Sequence, residues 1–219
     1  VNTPYFHEPF YNLYYEAGGD LLNAQLTKAA INNQKAIKVL KYYMDLYDSK
    51  LSDINDTTPW QTFHDGKGAV WIGGVWEAGW HFGDNKDIAV IPLPAIFGGL
   101  AHYGSSHTLV IPAYVSKEKQ IAAMKFMKYY IEKGGYTWGQ AGHVPSGKVV
   151  VASKEYNSLP YRNYFVQAQK TVKFAPKTGK YDAIDTVIRE QLQNIIFKKV
   201  TPEEGLKQAD KNINQILNQ

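Results

Sequence analysis

The sequence pattern that most limits the fold is an alternation of long amphipathic helix signals with short apolar segments that end at glycine or proline. Three long stretches carry apolar residues at helical spacing, at residues 32–50, 182–199 and 201–217. Three strand-sized apolar segments lie between the first two of these helices, at residues 69–72, 88–91 and 108–111. Helices that alternate with short buried strands are typical of an α/β fold.

Local signals predict where several helices begin and end. Thr201 and Glu204 form the pattern of a capping box, and the intervening Pro202 suits the first helical position. Ser116 is a predicted N-cap, and two consecutive glycines at 134 and 135 are predicted to end the helix that follows it. Shorter helices are predicted at Pro59–His64, 76–82 and 161–170, and the glycines at 73 and 74 predict a turn after the first strand.

Composition excludes several kinds of chemistry. The chain has no cysteine, which excludes disulfides, zinc–thiolate sites and cysteine nucleophiles. The net charge is +4, but the lysines are spread over predicted solvent-facing helix surfaces rather than clustered on one face. We therefore expect no nucleic-acid partner. No apolar run reaches the roughly 18 residues that a membrane span requires.

Motifs for catalysis, metals and cofactors are weak. Residues 142–148 match the first seven positions of a phosphate-binding loop, but the eighth position lacks the hydroxyl that binds magnesium. His102 and His107 are five residues apart on a predicted loop, without a metal-binding motif around them. Ser105 and Ser106 lie between them and allow a serine–histidine pair, although hydroxyls that bond the backbone or a ligand explain this loop better. We predict no cofactor and no metal.

Aromatic residues are unusually frequent, with 16 Tyr, 9 Phe and 5 Trp. Trp76 and Trp80 are four residues apart at the start of a predicted helix, so they share a face. Trp76 follows a strand end and a double glycine, and open α/β sheets bind ligands beyond the carboxyl ends of their strands. We therefore predict that Trp76 stacks on a ligand, whereas Trp71, in the middle of a predicted strand, belongs to the core.

Two acidic residues, Glu16 and Glu77, lie in aromatic-rich surroundings. A glycosidase needs two carboxylates that face each other across a sugar, so a carbohydrate-active enzyme is one interpretation. Carboxylates that accept hydrogen bonds from a bound sugar explain both residues equally well. A site for a polyamine would need several convergent carboxylates, and the remaining acids are scattered over predicted helices.

The stretch from Phe63 to Trp76 resembles a sequence pattern of the family 1 extracellular solute-binding proteins of ABC importers, of the maltose- and sugar-binding kind. The matching residues are Phe63, Gly66, Lys67, Ala69, Trp71, Gly74 and Trp76. Other segments that resemble the family follow in the family's order, at 91–94, 105–111, 116–126, 142–145 and 201–217. The resemblance extends over most of the chain.

The resemblance implies an α/β fold of the periplasmic-binding-protein-like type II, present in incomplete form as the C-terminal lobe plus part of the N-terminal lobe. Residues 1–106 would form the first part of the C-terminal lobe, 107–155 would cross into the N-terminal lobe, and 156–219 would supply the closing helices of the C-terminal lobe. Members of this family are much longer. The chain is therefore expected to be a shortened product or one piece of a larger assembly.

The resemblance also implies a function without catalysis: capture of a sugar or oligosaccharide in an inter-lobe cleft and delivery to the permease subunits of an ABC importer. The protein would lie on the extracellular face of a bacterial membrane as a lipoprotein, or in the periplasm, with a lipid anchor outside this chain as its membrane contact. The expected ligand-binding residues are Trp76, Glu77, Tyr14, Trp80, Ser105 and His143. An enzyme that uses Glu16 or Glu77 and a receptor for a non-sugar solute remain as alternatives.

Overall fold

The computed structural model describes residues 7–80 and 87–219, except for the side chain of Trp80. This part of the chain divides into two compact units. The first unit contains residues 7–59, 94–105 and 171–219, and the second contains 60–80, 87–93 and 106–170. The predicted division into lobe segments at 1–106, 107–155 and 156–219 stays a prediction.

Helices dominate the described residues, and none of them is both long and apolar enough to cross a membrane. In chain order they are α1 (His7–Glu16), α2 (Gln34–Asp48), α3 (Pro59–His64), α4 (Glu77–Trp80), α5 (Lys117–Tyr129), α6 (Gly135–Gln140), α7 (Lys148–Val151), α8 (Lys154–Asn157), α9 (Arg162–Ala168), α10 (Tyr181–Ile196) and α11 (Pro202–Leu217). A π-helical turn joins α5 to α6 at Tyr130–Gly134, and a 3₁₀ turn follows α9 at Gln169–Thr171. Two short strands, β1 (His102–Gly104) and β2 (Val172–Phe174), pair in parallel.

The first unit has an apolar core between its long helices. The buried face of α10 recurs at helical spacing through Ile184, Ile188, Leu192 and Ile195, and α10 packs against α11. Full burial of one such side chain contributes about 1.5–3 kcal/mol, so this face is a major source of stability for the unit. Helix α1 adds a second buried face, which is largely aromatic because of its tyrosines.

Helix caps in the structure confirm the local sequence signals. The backbone N–H of Thr201 donates to Oε2 of Glu204 (2.9 Å), and the Glu204 N–H donates to Oγ1 of Thr201 (3.2 Å), which completes the capping box of α11. The Ser116 hydroxyl accepts from the Lys119 N–H at the start of α5 (3.4 Å). The helix predicted at 32–50 is α2, which Asn33 caps through the N–H groups of residues 35 and 36.

The strands predicted at 69–72, 88–91 and 108–111 are not strands in the structure, so that prediction was wrong. A strand requires hydrogen bonds to a neighbouring strand, and these three segments have no paired neighbour among the described residues. They are not buried either, since Val70 is 84% exposed and Val110 is 77% exposed. The apolar pattern identified strand-like sequence but could not supply the partner that makes a strand.

The two glycines at 134 and 135 do not end the helical backbone, which continues into α6. Glycine costs only about 1 kcal/mol inside a helix, and Gly135 is buried where a Cβ atom would stand 3.2 Å from Cγ2 of Val150. Close packing of α6 against α7 therefore explains this glycine. Helix α5 itself has no buried residue, and Phe126 on its predicted apolar face is 60% exposed.

Candidate functional site

The tryptophans at 71 and 76 lie over the two glycines between them. A Cβ atom on Gly74 would stand 2.2 Å from Cη2 of Trp76, and one on Gly73 would stand 2.6 Å from Cη2 of Trp71. Neither glycine has a positive φ, so their main role is to leave room for the indoles. The carbonyl of Gly74 also accepts from the Glu77 N–H (3.1 Å), which forms the turn into α4.

Four aromatic side chains come together in the second unit, and we call them the ring platform: Trp76, His107, Trp138 and His143. The indole of Trp138 and the imidazole of His143 are stacked, with ring centroids 3.9 Å apart and planes inclined by 4°. His107 meets both rings edge-on, at 5.3 Å from Trp138 and 5.5 Å from His143. Trp76 completes the group at 6.3 Å from His143. The edge-on contacts of His107 lie within the range of about 4.5–7 Å at which aromatic pairs are favourable.

Two glycines bring the turn before His143 against the segment that carries Trp76. Gly142 has a φ of +102°, and a Cβ atom there would stand 2.4 Å from the carbonyl oxygen of Val75. A Cβ atom on Gly79, in α4, would stand 2.4 Å from the carbonyl carbon of Ala141. A residue with a side chain would clash at either position, and at Gly142 it would also be strained. The platform therefore depends on the absence of side chains at both glycines.

Local electrostatics favour a neutral His143. Burial lowers the pKa of the His143 imidazole, and the electrostatic effects of the neighbouring His107 and Arg162 lower it further. A neutral imidazole has one donor and one acceptor nitrogen, so it can bond to a ligand hydroxyl in either direction. Glu77 begins α4 and is half-buried, with its Oε2 atom shielded from solvent.

The predicted ligand-binding residues are divided between the two units. Trp76, Glu77 and His143 lie in the second unit, and Trp76 and His143 belong to the ring platform. Trp80 ends α4, but its side chain lies outside the described part of the structure, as do residues 81 and 82 of the predicted helix. Ser105 lies in the first unit, where it is exposed directly after β1.

Tyr14 is placed in the core of the first unit rather than on a surface. Its side chain is fully buried, and its hydroxyl donates to the Asp20 carbonyl (3.0 Å) and accepts from Nδ2 of Asn33 (2.6 Å). Phe10 stacks on its ring at 5.4 Å. This side chain supports the packing of α1 and is not exposed to a ligand in this conformation.

Trp138 and His107 are platform residues that the sequence reasoning did not select. His107 was weighed as a partner for serine or a metal, and Trp138 lies in a glycine-rich stretch of the sequence. The sequence signal available for both was aromatic character near glycine. Their association depends on contacts between residues more than 30 positions apart, such as His107 with Trp138.

The carboxylate of Glu16 binds backbone within the first unit. Its Oε2 atom accepts the N–H groups of Ile96 (2.9 Å) and Phe97 (3.3 Å), and the residue is only 5% exposed. Glu16 therefore anchors the loop at 94–101 to the end of α1. This role explains a buried carboxylate without catalysis.

The serines and histidines near residue 105 also bond elsewhere. The Ser106 hydroxyl donates to the backbone carbonyl of His107 (3.2 Å). Nδ1 of His102 lies 2.6 Å from the hydroxyl of Thr171. Among residues 7–80 and 87–219, no cluster of three histidine or carboxylate side chains is arranged to hold a metal ion.

Comparison with known families now places the chain in a class of proteins. The model of the family described as bacterial extracellular solute-binding proteins matches residues 5–163, well over half of the chain. The chain belongs to this family. No curated protein matches the sequence significantly.

Solved structures of sugar-binding proteins share the fold. The maltose-bound MalE3 of T. maritima aligns with a TM-score of 0.82 at 21% identity, over 95% of this chain and 57% of that chain. The maltotriose-bound MalE domain of Bdellovibrio bacteriovorus aligns with a TM-score of 0.82 at 18% identity, over 98% and 59% of the two chains. The GacH receptor of Streptomyces glaucescens, solved unliganded and with acarbose, aligns with a TM-score of 0.78 at 21% identity, over 95% and 56%.

These likenesses establish the fold class that the sequence predicted. The structure is an α/β, periplasmic-binding-protein-like fold of type II, in incomplete form, because the chain spans less than 60% of the length of these relatives. Exposed apolar segments such as 108–111 lie in the second unit of this fold. A segment such as 108–111 can form a strand only if a neighbouring segment pairs with it.

Proposed function

We propose that the chain is the sugar-capturing part of a solute-binding protein that serves an ABC importer, and that it binds its solute without changing it. The observation that carries this proposal is the ring platform. Ligand sites combine apolar and aromatic surface with a few polar groups that fix orientation. The platform offers the indoles of Trp76 and Trp138 for stacking, and the nearby nitrogens of His143 for hydrogen bonds.

The chemistry of the solved relatives supports a choice of first ligand. Their descriptions name maltose, maltotriose and acarbose as bound molecules. A sugar ring presents C–H groups on its faces and hydroxyls around its edge, so it suits a surface of rings with polar groups beside them. Maltotriose is therefore the first solute to test. Delivery to permease subunits, an extracellular or periplasmic location and a lipid anchor outside this chain belong to the same proposal.

The alternatives receive less support from the geometry. An enzyme that pairs Glu16 with another acid would need a free carboxylate, whereas Oε2 of Glu16 already accepts two backbone N–H groups. A polyamine receptor would need several carboxylates around the ligand, and Glu77 is the acidic residue that begins the helix next to Trp76. Neither alternative accounts for a stacked Trp138 and His143.

A titration with maltotriose tests the proposal. We expect tryptophan fluorescence to change, the melting temperature to rise, and the sugar to be recovered intact by chromatography. Trp76→Ala should weaken binding by about 1–3 kcal/mol, the usual effect of losing a stacking aromatic. It should leave the fold intact because the ring is half-exposed. Trp71→Phe is the matched control, since Trp71 lies over Gly73 and outside the platform.

Three results would count against the proposal. Release of glucose from maltotriose would favour the carbohydrate-active enzyme. Binding of spermidine or a short peptide, with no response to any sugar, would favour a receptor for another solute. A cooperative melting transition that disappears in Trp76→Ala would return this tryptophan to the core.

A further inference from the structure

Arg162 is a buried cation in the second unit, with only 2% of its surface exposed. It begins α9, and its guanidinium donates to three backbone carbonyls: Nε to Gly139 (2.9 Å), Nη2 to Gln140 (2.9 Å) and Nη1 to Pro160 (2.7 Å). A buried charge is costly unless its hydrogen-bonding groups are paired. These three bonds supply that pairing, and two of them join the guanidinium to the adjacent residues Gly139 and Gln140.

Two of the three carbonyls belong to the last residues of α6. The final carbonyl groups of a helix have no partner within the helix, and a positive charge beside them is favourable. Arg162 therefore caps the C-terminal end of α6. The chain then turns through Gly142 to His143, which is stacked on the ring of Trp138.

Tyr156 holds the other end of this turn. The residue is fully buried, and its hydroxyl donates to the backbone carbonyl of His143 (3.3 Å). Its ring also packs on Gly139, where a Cβ atom would stand 2.7 Å from Cδ2 of Tyr156. Two buried side chains thus hold residues 139–143 at both ends.

We infer that Arg162 is a positioning residue for solute binding, because its guanidinium holds residues 139–143 in the conformation that stacks His143 on Trp138 beside Trp76. Tyr156 acts with it from the His143 end. The inference rests on the proposed function in one respect, namely that the ring platform contacts the solute.

Side-chain chemistry distinguishes this role from simple space filling. The planar fork of arginine fixes direction as well as distance when it bonds several acceptors, which a lysine cannot do with a single ammonium group. An apolar side chain of similar volume would fill the same space without the cost of burying a charge. An arginine here is best explained by the carbonyl groups that it orients.

Variants of Arg162 and Tyr156 test the inference. We would compare Arg162→Lys, Arg162→Gln and Tyr156→Phe with the unchanged protein. Tyr161→Phe is the matched control, because the Tyr161 hydroxyl also donates to a backbone carbonyl, that of Ile88 (3.0 Å), on a different segment. Each variant is first checked for a cooperative melting transition.

The decisive readout is the proton NMR signal of the His143 imidazole in the ligand-free protein, assigned by its loss in His143→Gln. The imidazole lies 3.9 Å from the Trp138 indole, centroid to centroid. The ring current of the indole therefore shifts the His143 proton signals upfield. We expect both Arg162 variants to lose most of this displacement, Tyr156→Phe to lose part of it, and Tyr161→Phe to keep it. Maltotriose affinity should fall roughly tenfold in the Arg162 variants, by analogy with the loss seen when residues that orient the ligands of a metal site are replaced.

The outcomes separate the inference from the proposed function. If Arg162→Lys and Tyr156→Phe fold with a lower melting temperature but keep the full upfield displacement, Arg162 only stabilises the fold and the inference is wrong. If Arg162→Gln fails to fold, the other two variants decide by the same criterion. A third outcome is that the Arg162 variants lose the upfield shift of the His143 signals, while the unchanged protein does not bind maltotriose. In that case Arg162 does position His143 on Trp138, and the proposed function is wrong.

Discussion

Replacement of Gly74 with alanine tests how Trp76 is placed. The added methyl group would stand 2.2 Å from Cη2 and 2.3 Å from Cζ3 of the indole. Ordinary carbon–carbon contacts begin at about 3.5 Å. The indole or the backbone must therefore move by more than about 1 Å to accommodate one methyl group.

We expect this movement to reduce the favourable free energy of maltotriose binding more than it reduces the free energy of unfolding. Trp76 is half-buried, so its ring has room to swing away from residue 74 while the backbone stays in place. We expect the free energy of unfolding to fall by about 1 kcal/mol, at the lower end of the range for overpacking. Loss of the stacking surface should weaken maltotriose binding by about 1–3 kcal/mol, or about 5–150-fold.

Two other glycines provide controls for this experiment. A Cβ atom on Gly68 would lie 3.6 Å from its nearest neighbour, the Cα atom of Phe63, so Gly68→Ala should change neither stability nor affinity. Gly73→Ala should displace Trp71 and lower stability without a loss of affinity. Calorimetric titration and thermal melting measure both quantities. Equal affinities for Gly74→Ala and Gly68→Ala would refute the argument that Gly74 makes room for a ligand-binding ring.

Three further predictions concern other parts of the molecule. Glu16→Ala should lower the free energy of unfolding by about 1.5–3 kcal/mol, because two backbone N–H groups lose a charged acceptor; an unchanged melting curve would contradict this anchoring role. The pKa of His143 is lowered from 6.5 by burial first, and by His107 and Arg162. The unfolded chain therefore binds a proton more readily, so the stability contribution of this histidine is present above pH 6.5 and is lost as the pH falls below it. Melting curves at about pH 7 and about pH 5 should show this loss, and His143→Gln should reduce it. Phe126→Lys on the exposed face of α5 should change the free energy of unfolding by less than about 0.5 kcal/mol, whereas Leu192→Ala in the core should cost about 2–5 kcal/mol; chemical denaturation compares the two, and a large effect at Phe126 would show that this face is covered.

Local signals in the sequence were reliable where the interaction spans a few residues. The capping box at Thr201 and Glu204 and the cap at Ser116 were predicted from spacing alone, and the structure confirms both. A cap joins a side chain to a backbone group two or three positions away, so the adjacent sequence contains all the information needed. The helix predicted at Pro59–His64 is also confirmed.

Signals that depend on distant partners were less reliable. The segments at 69–72 and 108–111 read as strands, but no described neighbour pairs with them. The ligand role of Tyr14 stays a prediction, although its side chain lies in the core, and Glu16, weighed as a catalytic or a sugar-binding acid, binds the loop at residues 96 and 97. An aromatic or acidic residue next to other aromatics has the same local sequence whether it faces a ligand or a core.

The sequence by itself determined the family, the positions of the long helices and the importance of the stretch from Phe63 to Trp76. It also predicted a ligand role for Trp76 and His143, which stays a prediction. Tertiary structure alone decided that the two glycines at 73 and 74 make room for indoles, that Trp138 stacks on His143, and that Arg162 holds the turn between them. The physical reason is range: caps and helical periodicity act within a few residues, whereas ring stacking and a buried cation's hydrogen bonds depend on atoms that only the folded chain brings together.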